Sequence, residues 1–220
     1  MFLYVNVKKH KVQLEIFSSY IPNIATLAIL AQQENVIVQT GAQYQKQTFR
    51  NRTIIAGANG VLNLSIPIEH GSKYKKLIDK EVKIAYEENW QQNHWKSFVS
   101  AYSSSPFFEF YQDDLKPIFF KKHEKLVDYN VSLLTLILEW LEIETKITTR
   151  SKQDAYNPFS DALVSSKAKL PLNFPKYIQV FEAKLGFHPN LNALDLLSNL
   201  GPESSVYLRD IDLNPMLELS

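Results

Sequence analysis

Val12-Gln-Leu-Glu-Ile16, Ser18-Ser-Tyr-Ile-Pro22 and Val36-Ile-Val38 decide how this chain begins to fold. The first segment alternates apolar and polar side chains and the third is β-branched, so both are predicted as strands. Between them, Ser18 to Pro22 carries turn and capping chemistry, with Pro22 suited to the first position of a helix, and Ile24 to Ala31 continues with apolar residues and few breakers. The order is strand, loop, helix, strand. If the two strands pair in parallel, the unit is a right-handed crossover. The Ser18 to Pro22 loop then lies at a strand's C-terminal end, where such sheets bind ligands.

Downstream, Arg52-Thr-Ile-Ile-Ala-Gly57 and Val61-Leu-Asn-Leu-Ser-Ile-Pro-Ile68 flank Ala58-Asn59-Gly60, which predicts a β-hairpin turning at Asn-Gly. Pro67 cannot donate to a ladder and puts the end of the second strand at a margin. Glu81 to Ala85 is a further short strand candidate. From Asn89 the period changes. Trp95, Phe98, Val99 and Tyr102 share one helix face, predicting a helix from about Trp90 to Ser104, followed by an aromatic-rich segment from Phe107 to Phe120 and an apolar one from Val131 to Leu141. Glu144 to Thr149 could return to the sheet. Ser151 to Pro175, with Pro158, Pro171 and Pro175 and weak periodicity, is expected as a long loop or lid whose aromatics Tyr156, Phe159 and Phe174 pack on something. Tyr177 to Glu182 and Leu194 to Leu200 read as short helices, the second capped by Asn192 and stopped by Gly201-Pro202. The expected fold class is therefore α/β: a mixed sheet with an N-terminal βαβ-like unit, a β-hairpin and a helical C-terminal half, in a single domain over 1–220.

Composition narrows the function classes. The 220 residues contain 24 Lys plus Arg against 23 Asp plus Glu, a net charge of +1, which provides no global field for nucleic acid or an anionic membrane. The absence of Cys removes disulfides, thiolate metal sites and Cys nucleophiles, and it fits a reducing compartment, with the cytoplasm as the default. Met1 to His10 has its Lys residues in the wrong order for a secretory signal. Val131 to Leu141 is about half of the roughly 20 residues that a membrane helix needs, so no membrane span is expected. The five His are scattered, no metal site is expected, and no motif names a cofactor. No Walker loop, G-x-G-x-x-G, H-E-x-x-H, G-x-S-x-G or H-x-G-H occurs.

Two constellations remain. Trp90-Gln-Gln-Asn-His94-Trp95 with Tyr102-Ser-Ser-Ser-Pro106-Phe-Phe is the densest aromatic and polar cluster. His94 sits beside the buried stripe, either as a core residue bonded to its surroundings or at a pocket rim, where a near-neutral imidazole suits general acid or base work. Gln43-Tyr-Gln-Lys-Gln-Thr-Phe-Arg-Asn51-Arg52 carries three cations without Gly or Pro. Either it is a solvated face, or Arg50 and Arg52 grip a phosphate or carboxylate while Asn51 fixes the loop.

These residues resemble the WbqC-like proteins, named from bacterial O-antigen gene clusters. The resemblance rests on Tyr20-Ile-Pro22, Tyr44-Gln-Lys-Gln-Thr-Phe-Arg-Asn51-Arg52, Leu64-Ser-Ile-Pro67-Ile, Val82-Lys-Ile84, Trp90 with His94-Trp95, and Tyr102 with Ser105-Pro106-Phe-Phe. It continues through Leu141-Glu-Ile143 to Ile147 and, as in a Bacteroidetes-type branch, through Tyr177-Ile-Gln-Val-Phe181 and Asn190-Leu-Asn-Ala-Leu-Asp195. Many members carry Gln-Pro-Asn-Tyr-Leu-Pro-Trp where this chain has Phe17-Ser-Ser-Tyr20-Ile-Pro22, and an Asp-Asp pair where it has Gln39-Thr-Gly. The resemblance implies a transferase of bacterial surface-polysaccharide biosynthesis, moving an acyl or aminoacyl group to an amino sugar. Strand, Pro-containing loop, helix and strand are also similar to nucleotidyltransferase-type folds, without their paired His.

The expectations are a transferase with His94 as the proton-transfer residue and Tyr20, Tyr44, Gln45, Arg50, Asn51, Arg52, Trp90, Trp95 and Tyr102 binding a sugar or nucleotide. The alternative is a non-catalytic sugar or nucleotide binding module built on the same residues.

Overall fold

Leu14–Phe17, buried except for the half-buried Glu15, form β1, and the β-branched run lies within β2, Asn35–Gln39. They pair in parallel, Ile16 opposite Val38, joined by helix α1, Ile24–Gln32. In the computed structural model of the protein, residues 14–69, 77–152 and 158–217 are described. Val12 and Gln13, the Met1 to His10 segment and Tyr156 lie outside them. Every residue from Ile24 to Leu30 is buried, as expected of a helix apolar all round, and α1 packs against α7 and α8, defined below. Pro22 is not the first helical residue. Asn23 takes the cap, its side chain accepting from the Thr26 amide at 3.0 Å, and Pro22 precedes it.

A third parallel strand, β5 (Lys146–Arg150), lies on the other side of β2, with Ile147 opposite Val36. This is the strand expected from Glu144 to Thr149. A separate antiparallel pair, β3 (Arg52–Gly57) and β4 (Gly60–Ser65), forms the hairpin. Its turn is shifted by one residue from the expected Asn-Gly centre, because Ala58 and Asn59 are the two loop residues and Gly60, at φ 120°, pairs with Gly57. β4 ends before Pro67, in keeping with the missing amide. Glu81 to Ala85 is not a strand: Asp79–Glu81 is a 3-10 turn, and the rest makes only isolated bridges, Ile84 to Ile68 and Lys83 to Lys125.

Three helices follow: α2 (Trp90–Tyr102), α3 (Phe108–Phe120) and α4 (Leu126–Trp140). In the span expected as a loop, 158–164 is helix α5 (Pro158–Val164), which packs against β1 and buries Phe159, Leu163 and Val164. Its 7 residues are too few to declare a period. Residues 165–175 contain no regular helix or strand.

Tyr177 to Glu182 is likewise not a helix. Tyr177 and Gln179 are buried while Ile178 between them is 83% exposed, the period of two of an extended chain, and only Glu182–Leu185 turns into helix α6. The chain ends in α7 (Ala193–Leu200), α8 (Ser204–Asp210) and α9 (Asn214–Leu217). Asn192 caps α7 by accepting from the amides of Leu194 and Asp195, and Gly201 stops it. The architecture is a mixed α/β fold: a three-stranded parallel sheet, an antiparallel hairpin and a helical C-terminal half. No helix among the described residues is long and apolar enough to cross a membrane.

Candidate functional site

The loop that leaves β1 carries the first candidate. The Tyr20 amide donates to the Phe49 carbonyl at 2.9 Å, and Ile21 adopts φ 46°, a left-handed conformation that a β-branched residue rarely takes. Thr53 holds that turn by donating its hydroxyl to the Ile21 carbonyl at 3.3 Å. The bend sends the Tyr20 side chain into the interior, where its oxygen lies 3.0 Å from His94 Nδ1.

Trp90 and His94 are one helical turn apart on α2 and face the same way. The rings of Trp90 and His94 are 5.3 Å apart, and the Tyr20 ring stands edge-on to Trp90 at 6.4 Å and stacked on Tyr129 at 6.2 Å. Tyr86, 6.0 Å from Trp90, closes another side. Burial lowers the His94 imidazole to about 4, and burial together with Tyr129 raises the Tyr20 phenol well above its ordinary value. Near neutrality the pair is therefore a protonated phenol against an uncharged imidazole. When Tyr20 donates to Nδ1, the ring hydrogen sits on Nε2, and a proton gained by either group has a hydrogen-bonded route to the other.

The polar segment before the hairpin divides inward and outward. Arg50 is 1% exposed. Its Nη1 donates to the Gln43 carbonyl at 2.9 Å and pairs with Asp79 at 3.2 Å, its Nη2 reaches Asp161 at 3.5 Å, and its Cζ lies 3.8 Å from the centre of the Phe17 ring. The fork expected to grip a ligand is thus engaged by two protein carboxylates. Burial raises Asp79 more than Arg50 lowers it, with Asp161 adding repulsion, so that its carboxyl stands at about 7. Asn130 on α4 donates to the Arg50 carbonyl at 2.8 Å, tying this cluster to the helical half.

Arg52 points the other way. Its Nε donates to Ser65 Oγ at 3.1 Å across the hairpin. With Tyr44, Lys46, Gln47, Asn51 and the Ser65 to Ile68 stretch it lines an open cleft of about 220 Å³. Asn51 supports that cleft from below by accepting from the Ile66 amide at 2.8 Å and donating to the Ile66 carbonyl at 2.9 Å. The Gln45 side chain is exposed, and its carbonyl accepts from the Thr48 hydroxyl at 3.0 Å.

Tyr102 and Trp95 stand apart from both groups. The Tyr102 hydroxyl is 3.3 Å from Asn192 Nδ2, next to a buried network in which Tyr177 donates to Asp195 at 2.6 Å and Gln179 donates to Asp195 at 3.1 Å. Trp95 packs on Phe119 at 5.7 Å and Phe120 at 5.8 Å.

The fold thus brings Tyr20, Trp90 and His94 together, places Tyr44, Asn51 and Arg52 on a second surface, and engages Arg50 internally. Sequence reasoning missed Tyr129, Asn130, Asp79 and Asp161. Tyr129 and Asn130 lie just before the apolar run taken as the third helix, and Asp161 lies in the span read as a loop. No group of three or more metal-ligating side chains occurs among the described residues.

The chain is 25% identical over 221 aligned residues to the uncharacterized protein Rv1507c of Mycobacterium tuberculosis, covering 87% of this chain and 95% of that one. No solved structure matches it. The profile of the WbqC-like protein family matches residues 18–170, a span that starts at the Ser18 loop, takes in the Tyr20–His94 pair and the Arg50 cluster, and ends beyond α5. A match over that span means that this chain belongs to the WbqC-like protein family.

Proposed function

We propose that the protein is a transferase of bacterial surface-glycan assembly that moves an acyl or aminoacyl group from an activated donor to the amine of an amino sugar. The observation that supports this most is the Tyr20–His94 pair, a hydrogen-bonded phenol and neutral imidazole behind the C-terminal end of β1. In open α/β sheets that end is where ligands are received. The sugar amine attacks the donor carbonyl, the carbon–nitrogen bond forms, and the proton that the nitrogen sheds passes to the Tyr20 oxygen as Tyr20 hands its own proton to His94 Nδ1. Collapse of the intermediate breaks the bond to the leaving group, which receives that proton. An imidazole lowered to about 4 is unprotonated throughout the neutral range, so its form competent to accept is always present.

The test is turnover. Purified protein is incubated with acyl donors and nucleotide-linked amino sugars, and amide product is followed by mass spectrometry. His94→Gln is expected to keep the fold and lower turnover by about 100-fold, the usual scale of general acid or base catalysis. The acid limb of the parent's pH profile is expected near 4 rather than near the ordinary 6.5. Product formation that survives His94→Gln unchanged overturns the assignment.

The second reading, a non-catalytic sugar or nucleotide binding module, draws on the open Arg52 cleft, which lies apart from the buried His94. Ligand binding without product in the same screen selects it.

A further inference from the structure

Among the described residues, the lining of the Arg52 cleft contains two cations, Lys46 and Arg52, and no carboxylate. Among the described residues Arg52 makes one side-chain hydrogen bond, from Nε to Ser65 Oγ, and no ion pair. That bond engages Nε and leaves both terminal nitrogens without a hydrogen bond among the described residues, as bidentate recognition of a carboxylate or phosphate requires.

The walls are held in place from both sides. Asn51 makes two hydrogen bonds to the backbone of Ile66, and Arg52 pairs with Ser65 in the hairpin register. Opposite them, the turn that carries Lys46 is pinned by the Thr48 hydroxyl on the Gln45 carbonyl and by a bridge from Thr48 to Ser165, with Gln47 at φ 61°. Between these banks, Tyr44, Ile66, Pro67 and Ile68 supply an apolar wall. At about 220 Å³ the cleft falls below the roughly 300–1,000 Å³ of a drug-sized site, a scale that suits a unit of one sugar ring.

We infer that this cleft is the subsite for a sugar bearing an anionic group, in which Arg52 takes the anion and the Tyr44–Ile66–Pro67–Ile68 wall takes the carbon-bound face of the ring. It deepens the transferase reading by naming the charge of the substrate, and it rests on that reading for the sugar. The anion half stands on the cleft itself. The charge could come from a phosphate ester or from a ring carboxylate, which share the bidentate geometry.

Binding of glucose 1-phosphate, glucuronic acid, glucose and inorganic phosphate to the intact protein, followed by NMR shift perturbation and calorimetry, tests this. At least one of the two anionic sugars is expected to bind more tightly than glucose, with perturbed amides at 44–52 and 65–68 and affinity that falls as salt rises. Which of the two binds more tightly identifies the anion. Arg52→Ala is expected to weaken that sugar by about 30-fold, as for loss of a charge-assisted bidentate contact, and Arg52→Lys to recover part of it. Circular dichroism of both variants checks the fold.

No binding of either anionic sugar at millimolar concentration, glucose binding as tightly as both, or Arg52→Ala leaving affinity unchanged, overturns the subsite. Inorganic phosphate binding as tightly as the anionic sugars leaves the sugar wall without a role and overturns the sugar half. These outcomes are independent of product formation, so a failed transferase screen with intact, Arg52-dependent binding rejects the catalytic reading alone.

Discussion

Replacing Arg50 with Met removes the cation from the Asp79–Asp161 cluster while keeping an unbranched side chain against the Phe17 ring. The Arg50 side chain is 2% exposed, Asp79 4% and Asp161 19%. Taking one partner out of a buried pair costs about 3–5 kcal/mol, because the remaining charge cannot be hydrated where it stands. Asp161 can turn to water and Asp79 cannot, so the lower half of that range, about 3 kcal/mol, is expected from urea unfolding at pH 9, where the parent's Asp79 is ionised. The pH dependence is more specific. With Arg50 present, Asp79 ionises at about 7, and without it the only influence lowering that value is gone. Below 7 the carboxyl is protonated in both proteins and the deficit is flat. Above 7 the parent holds a carboxylate beside a guanidinium and the variant has no cation for it, so the deficit widens as pH rises. A second change, Asp79→Asn, in the Arg50→Met background removes the widening. A deficit under about 1 kcal/mol, or one that shrinks between pH 7 and pH 9, refutes the role given to the cluster.

Other expectations follow from the same structure. Asp79 has its folded value raised, so its contribution is complete below the ordinary carboxylate value and is lost as pH rises through about 7; His94 has its value lowered, so its contribution is complete above the ordinary imidazole value and is lost as pH falls through about 4. Asp79→Asn should therefore steepen the loss of stability on acidification and His94→Gln should flatten it, and parallel shifts of the unfolding profile would contradict both assignments. A Cβ on Gly41 would stand 1.8 Å from the Ser151 carbonyl oxygen, just past the end of β5, so Gly41→Ala should cost about 3 kcal/mol in thermal unfolding or detach that end of the strand. An unchanged melting temperature would mean that the two backbones do not approach.

Most of the fold was legible because the relevant signals are local. β-branched runs, an Asn cap on α7 and an apolar helix need only their own neighbours to be recognised. The misreadings occur where a tertiary partner decides. Tyr177 and Gln179 look like helix residues until Asp195 is present to receive both side chains, and the resulting alternation leaves Ile178 exposed. The hairpin turn moved by one residue because Gly60 can take φ 120° while pairing with Gly57, leaving Ala58 and Asn59 to turn the chain. α5 was hidden by its length and is positioned by contacts far away in sequence, among them the Phe49 amide on the Val164 carbonyl at 2.7 Å.

The candidate site was legible in part for the same reason. Tyr20, Trp90 and His94 announced themselves as aromatics and an imidazole in otherwise predictable elements, but nothing local indicates that a bend at Ile21 sends Tyr20 74 positions along the chain to His94. The two arginines are the sharper case. Arg50 and Arg52 are two residues apart, and the sequence reading has them grip one anion together. Arg52 begins β3 and obeys the hairpin register, whereas Arg50 lies before the strand, in a turn whose side-chain direction is set by Asp79 and Asp161, residues 29 and 111 positions away. A buried guanidinium needs carboxylates and an open one selects for anions, so the same residue type serves the interior at one position and the surface two positions later. The partner, supplied by distant sequence, decides between those roles.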